Sequence, residues 1–146
     1  MIAVPGEVLE AIRGHGRETY PEECCGALLG KASEDGHARV ARGVRMANAS
    51  REMRERRFSI EPLEYLRLER RAEELNLRVL GFYHSHPDHP AAPSEYDREH
   101  ALPFLHYLIL SVEAGSPGEA TSWVFSEDRG IFEREELRVD HFGPGE

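Results

Sequence analysis

The chain has 146 residues, 40% hydrophobic and 31% charged, a composition that predicts one soluble domain spanning residues 1–146 around a single sizeable core. Its formal net charge of −9 argues against wholesale binding to nucleic acid or to an anionic membrane, and no apolar run approaches the length of a membrane span. The opening MIAVPGEVLE lacks a basic segment followed by a long apolar stretch, so no secretory signal and a cytoplasmic setting are expected.

In chain order, residues 6–19 (GEVLEAIRGHGRET) set Val8, Leu9 and Ile12 on one helical face, with Gly14 and Gly16 weakening the far end and Tyr20-Pro21 breaking the pattern. Cys24 and Cys25 are adjacent and no other cysteine is present. A disulfide between neighbours is strained, so both are expected reduced and packed, and they lack the second pair of a cysteine zinc site. Residues 25–31 (CGALLGK) read as a short buried strand, and residues 38–47 (ARVARGVRMA) as a second, with Val40, Val44 and Met46 at even positions.

Residues 48–56 (NASREMRER) have no clear period and read as an exposed loop, followed by a short strand at FSI, 58–60. Five arginines fall between Arg45 and Arg57 against Glu52 and Glu55, a basic stretch on an acidic chain; charged loops of this kind are usually only solvated. Pro62 suits the first turn of a helix running to about Asn76, with Leu63, Leu66, Ala72 and Leu75 turned inward.

Residues 78–84 (RVLGFYH) form an apolar strand, 85–93 a loop, and Ser94-Glu95-Tyr96-Asp97 the start of a helix that ends before Pro103. Residues 106–113, 121–126 and 130–139 read as three further strands, the first two separated by a turn at Gly115-Ser116-Pro117-Gly118. The sum is an α/β protein with about three helices and six or seven strands. Short turns between the last strands make that part of the sheet antiparallel.

The stretch GFYHSHPDHPAAPSEYD, 81–97, concentrates chemistry. His84 and His86 are two apart on a strand and share a face, and two neutral imidazoles on one face suit a divalent transition metal. Asp97 sits on the first turn of the next helix, across a loop stiffened by Pro87, Pro90 and Pro93. Two histidines and one carboxylate, with a fourth position open to water, is the catalytic rather than the structural zinc arrangement. Each piece also has a plainer reading. H-x-H at a strand end is as readily surface polarity, Ser94 and Asp97 a capping box, and His89 and His100 solvated side chains.

The combination H-x-H-x7-S-x2-D resembles the JAMM, or MPN-plus, metalloproteases. His84-Ser85-His86, Ser94 and Asp97 fit every position of that motif. Upstream, Tyr20-Pro21-Glu22-Glu23-Cys24-Cys25-Gly26-Ala27-Leu28-Leu29-Gly30 is similar to the family's P-x-E-x-C-G-x-L-x-G run, and the likeness covers roughly residues 5–127. The cytidine deaminase signature and the helical H-E-x-x-H motif are both absent.

The resemblance implies a curved mixed sheet flanked by helices, of cytidine deaminase-like architecture. It implies one zinc ion per chain held by His84, His86 and Asp97. It makes Glu23 the general base, a choice over Glu22 that spacing alone does not make, and Ser94 a hydrogen-bond donor to the developing oxyanion. Ser85, pointing away from the histidines, is expected to bond locally. For substrate it implies the amide bond after the C-terminal Gly-Gly of a ubiquitin-like protein. The compact prokaryotic members act on sulfur carriers of the ThiS/MoaD type, trimming extra residues or releasing a carried amino acid such as cysteine. Isopeptide deconjugation, a metal hydrolase of small amides, and an MPN-minus binding scaffold stand as alternatives.

Overall fold

The computed structural model describes residues 1–48 and 61–140. Arg51, Arg54, Arg56 and Arg57 of the basic stretch, and the strand expected at 58–60, lie outside the described residues. The elements are β1 (Ile2–Pro5), α1 (Gly6–Thr19), β2 (Cys25–Ala32), β3 (Ala38–Met46), α2 (Pro62–Glu74), β4 (Arg78–Pro87), α3 (Glu95–Glu99), β5 (His106–Glu113), β6 (Ser116–Ser126), β7 (Ile131–Glu135) and β8 (Leu137–Asp140).

The strands form one mixed sheet in the order β7-β6-β5-β4-β2-β3-β1-β8. Its two edge strands, β7 and β8, are separated in the chain by Glu136 alone, so the sheet curls until its edges meet at that corner. There the Ile2 N–H donates to the Glu136 carbonyl at 2.9 Å. The expected curved mixed sheet is thus present, with β5, β6 and β7 antiparallel as the short turns required and β4 and β5 parallel across α3.

Each face of the sheet carries one helix and one apolar cluster. On one face α1 buries Leu9 and Ile12 against Ile2, Val4, Leu28, Tyr83, Leu108 and Leu110. Gly16 does not end the helix. It allows close approach, since a Cβ there would lie 3.0 Å from side-chain atoms of both Leu110 and Val112. On the other face α2 sets Leu68 and Ala72 against Ala27, Leu29, Phe82 and Tyr107.

Several local expectations are corrected. Leu63 and Leu66 are 55% and 47% exposed; Ala72 and Leu75 pack inward as expected, but Tyr65 and Leu68 take the places expected of the other two. β1 was not expected, because four residues are too few to show a period. β4 continues through Ser85 to Pro87, and the 130–139 segment is two strands. The β5–β6 turn is Ala114-Gly115, both at positive φ (51° and 82°), the two-residue hairpin geometry that matches strand twist; Pro117 and Gly118 already belong to β6. The alternation in β3 is broken where Leu29 faces Arg42 and Gly30 faces Val40. The unpaired Ala41 turns Val44 and Met46 to the α2 face while Val40 stays on the α1 face.

Candidate metal centre

β4 carries a bulge of the same kind. Leu28 faces Gly81 and Leu29 faces Val79, leaving Leu80 unpaired. Leu80 joins the α1 cluster and Phe82 the α2 cluster. From Phe82 onward the alternation is regular, so His84 and His86 leave the sheet on the α2 face while Tyr83 and Ser85 point to α1. His84 is fully buried and His86 nearly so.

β2 runs antiparallel beside this segment with Cys25 opposite His84. Carried one residue further, the register sets Cys24 opposite Ser85. The contacts bear this out: Ser85 N–H donates to the Cys24 carbonyl at 3.1 Å, and Cys24 N–H donates to Ser85 Oγ at 2.8 Å. The next position places Glu23 opposite His86, and opposed residues share a face. Glu23 therefore points toward the histidines and is 3% exposed, while Glu22 is exposed to solvent. Register decides between two glutamates that spacing left equal.

The third side chain arrives from α3. Ser94 Oγ accepts the Asp97 N–H at 3.0 Å, and Asp97 Oδ2 accepts the Ser94 N–H at 2.9 Å, a complete capping box. The plain reading of Ser94 and Asp97 is correct, and it also serves the site. The bond back to the cap turns Asp97 Oδ2 toward β4, 3.2 Å from His84 Nε2 and 3.1 Å from His86 Nε2. The two Nε2 atoms are themselves 3.1 Å apart, so the three donor atoms form a nearly equilateral triangle. Tetrahedral ligands with bonds of 2.0–2.1 Å lie about 3.3 Å from one another. The donor set and its spacing fit zinc.

The electrostatics fit as well. His86 Nδ1 lies 3.0 Å from the Pro90 carbonyl. A carbonyl only accepts, so Nδ1 carries the proton and Nε2 keeps its lone pair for the centre. Burial, outweighing the attraction of Asp97, shifts His84 toward the neutral form that binds metals. Burial alone would raise the Asp97 pKa, but its close contacts with His84 and His86 and the hydrogen bond it accepts from the Ser94 N–H hold it well below the usual carboxylate range. Glu23 is the opposite case. Neither of its carboxylate oxygens has a hydrogen-bond partner among the described residues; burial, then the charge of Asp97, pushes its pKa up to about 9.

Glu23, His84 and His86 also offer ligand atoms within 4.8 Å of one another, so Glu23 stands beside the triangle. A cleft of about 480 Å³ opens there, lined by Glu23, His86, His89, the Pro87, Pro90 and Pro93 rings, and Ser94. His89 is on the rim; His100 stacks on Tyr96, outside that lining. Cys24 and Cys25 are free and buried. Burial pushes both thiols up, Cys25 to about 12, which suits packing rather than nucleophilic attack. Sequence reasoning missed the Pro90 carbonyl, which no side-chain pattern encodes. It also gave Ser85 no particular partner, although its place between the two histidines marked it.

A curled mixed sheet with H-x-H on an inner strand and a carboxylate on the next helix has the JAB/MPN architecture. The chain belongs to the prokaryotic JAB family: the profile of prokaryotic homologs of the JAB domain matches residues 5–126. It is 32% identical over 136 residues to desampylase of Haloferax volcanii, covering 89% of this chain and 93% of that protein. It is 30% identical over 112 residues to CysO-cysteine peptidase of Mycobacterium tuberculosis, covering 76% of this chain and 73% of that protein. The solution structure of DSY2949 from Desulfitobacterium hafniense has a TM-score of 0.84 to it at 30% identity, covering 97% of this chain and 94% of that one. The chain is accordingly a hydrolase of the peptidase and isopeptidase class. Among the described residues, no helix is long and apolar enough to cross a membrane.

Proposed function

We propose that this chain is a single-domain, cytoplasmic, zinc-dependent hydrolase of the amide bond following the C-terminal Gly-Gly of a ubiquitin-like sulfur carrier of the ThiS/MoaD type. It would trim extra residues or release a carrier-bound amino acid such as cysteine. The observation that carries this reading is the triangle of His84 Nε2, His86 Nε2 and Asp97 Oδ2 beside a buried carboxylate with no partner of its own.

His84, His86 and Asp97 would hold one zinc ion. Asp97, already an anion between both imidazoles, suits a ligand, and Glu23, raised and standing to one side, suits a proton carrier. Bound zinc would supply Lewis acidity and lower the pKa of water toward 7. Beside the charge of a zinc ion, Glu23 would return to the carboxylate form, in which it would take a proton from the attacking water and return it to the leaving amine. Ser94 Oγ already accepts from Asp97 N–H, which leaves its own proton to donate toward the carbonyl oxygen in the cleft. A neutral donor there is worth about 2.7–4 kcal/mol in the transition state. Pro90 keeps His86 oriented, and the proline-lined walls limit the cleft to an extended, slender chain, for which glycines are well suited.

The likeness to a CysO-cysteine peptidase supports release of a single amino acid. The likeness to a desampylase, over more of this chain, favours a second reading, removal of a ubiquitin-like modifier from protein conjugates. Both relatives are named for hydrolysis, and all the motif positions are filled, so a binding scaffold has less support. One experiment separates them. The zinc-loaded protein is incubated with a carrier ending in Gly-Gly plus one residue, and with a carrier–lysine conjugate, and the products are weighed by mass spectrometry. A carrier ending in Gly-Gly from the first substrate, blocked by a chelator, is expected. Cleavage of the conjugate alone would favour the second reading, and no cleavage of either would sink both.

A further inference from the structure

Glu23 has a property that a proton carrier should not have unless something else compensates. Its carboxylate makes no hydrogen bond with the described residues, so nothing at the end of the side chain fixes it, and its position is inherited from the backbone of residues 20–24. That segment is tied down at its two ends and, between them, at Glu22, whose N–H donates to the Thr19 carbonyl at 2.8 Å and whose carbonyl accepts from Thr19 Oγ1 at 3.1 Å. At the far end Tyr20 donates to Asp88 Oδ2 at 2.7 Å, and Asp88 Oδ1 accepts the Ala114 N–H at 2.7 Å. At the near end, one residue from Glu23, the tie is to Ser85.

This near tie is not an ordinary rung. In a regular antiparallel ladder a hydrogen-bonded pair of opposed residues exchanges two backbone bonds. Here Ser85 N–H donates to the Cys24 carbonyl, but the Cys24 N–H is accepted by the Ser85 side-chain oxygen, at 2.8 Å. Ser85 is fully buried and points to the α1 face, away from the cleft, where it cannot touch a substrate. It is also paired on its other side with Leu110 of β5, in the middle of the sheet.

We propose that Ser85 is a positioning residue for the reaction: its hydroxyl oxygen, by accepting the Cys24 N–H, registers the Glu23 carboxylate against His84 and His86. The serine between the two histidines thus joins the proton carrier to the strand that holds the metal ligands. The assignment rests on the reading of Glu23 as that carrier. Misplacement by about 1 Å is enough to cost roughly 100-fold in rate.

The test uses the full-length zinc-loaded protein and the Gly-Gly carrier substrate, with Ser85→Ala, Ser85→Cys, Ser85→Thr, Glu23→Gln and the double variant Ser85→Ala/Glu23→Gln. Ala removes the acceptor, Cys fills the volume with a weak one, and Thr keeps the oxygen. Ser85→Ala and Ser85→Cys are expected to lose about 10- to 100-fold in kcat, with KM within about twofold and zinc content unchanged. Ser85→Thr should stay within about threefold of the parent, and Ser85→Ala should add nothing to Glu23→Gln, since two residues acting as one unit are not additive. Full turnover in Ser85→Ala, or a loss that multiplies that of Glu23→Gln, overturns the proposal. If Ser85→Ala does not fold, Ser85→Cys carries the same comparison. A second readout does not need turnover: in crystals of the zinc-loaded variant the Glu23 carboxylate should shift from His86 while the His84–His86–Asp97 triangle stays. Glu23 found in place overturns the assignment even if the chain proves inactive on every carrier, which would by itself count only against the proposed substrate.

Discussion

Glu23 and Asp97 face the same two imidazoles with opposite affinities for a proton. Asp97 is buried, but it accepts the Ser94 N–H and lies 3.2 Å from His84 Nε2 and 3.1 Å from His86 Nε2, and its pKa is held far down. Glu23 is buried as well, receives no hydrogen bond among the described residues, feels the charge of Asp97, and is pushed up to about 9. Two carboxylates a short distance apart thus favour opposite protonation states, as the proposed division into metal ligand and proton carrier requires.

Metal content follows from the triangle. The purified protein is expected to hold about one zinc per chain. His84→Ala and Asp97→Ala should each lose metal and activity together, read by elemental analysis beside turnover. Chelation should lower Tm, because a ligand bound only by the native state stabilises it. Full zinc occupancy in His84→Ala/His86→Ala would exclude these ligands.

Glu23→Gln keeps size and removes the proposed base. Zinc should be retained and kcat should fall by about 10²- to 10⁴-fold, while Glu22→Gln, on the solvent side of the register, should change little. Loss of zinc in Glu23→Gln would instead make Glu23 a ligand, in the set it can form with His84 and His86.

The sheet that carries the histidines depends on Gly81. A Cβ there would lie 1.8 Å from the His106 carbonyl oxygen of β5, a backbone atom that cannot step aside. Gly81→Ala is expected to lose about 3 kcal/mol or more of stability, measured by urea unfolding. A Tm within a degree or two of the parent would contradict the close β4–β5 approach.

At the corner where the sheet edges meet, Glu135 accepts from His106 Nδ1 at 2.6 Å and from Ser122 Oγ at 2.7 Å. Burial would raise its pKa, but these hydrogen bonds outweigh burial and lower it. A depressed folded pKa means stability that is present above the unfolded carboxylate value, about 4.3, and lost as pH falls through the folded one. Glu135→Gln should therefore be less stable at pH 7 by about 2 kcal/mol, with the gap closing below about pH 4. Urea titrations at several pH values check this; a gap independent of pH would remove the carboxylate from the account.

For the basic stretch outside the described residues, reversal of Arg54 and Arg56 to Glu is expected to raise KM for an acidic folded carrier. The effect should weaken with added salt and be absent on the isolated tail peptide. No change on either substrate would return the segment to a solvated loop.

The sequence by itself determined the donor types and their local frames. H-x-H on an apolar strand shares a face because strands alternate, and S-x2-D caps a helix because the cap side chain reaches the third backbone N–H. These are short-range rules, and they placed α1, β2 and β5 correctly. Whether His84 and Asp97 meet, however, depends on a loop folding back, and whether Glu22 or Glu23 faces them depends on the β2–β4 register. Both are long-range pairings that no local period carries. The bulges at Ala41 and Leu80 turn side chains to the other face without any mark in the alternation itself. The inward face of α2 likewise turned on which side chains met the sheet, and the corner at Glu136 on the bond its carbonyl accepts from Ile2, at the other end of the chain. Only the tertiary structure decided these, because each is fixed by what lies opposite rather than by what lies next in the chain.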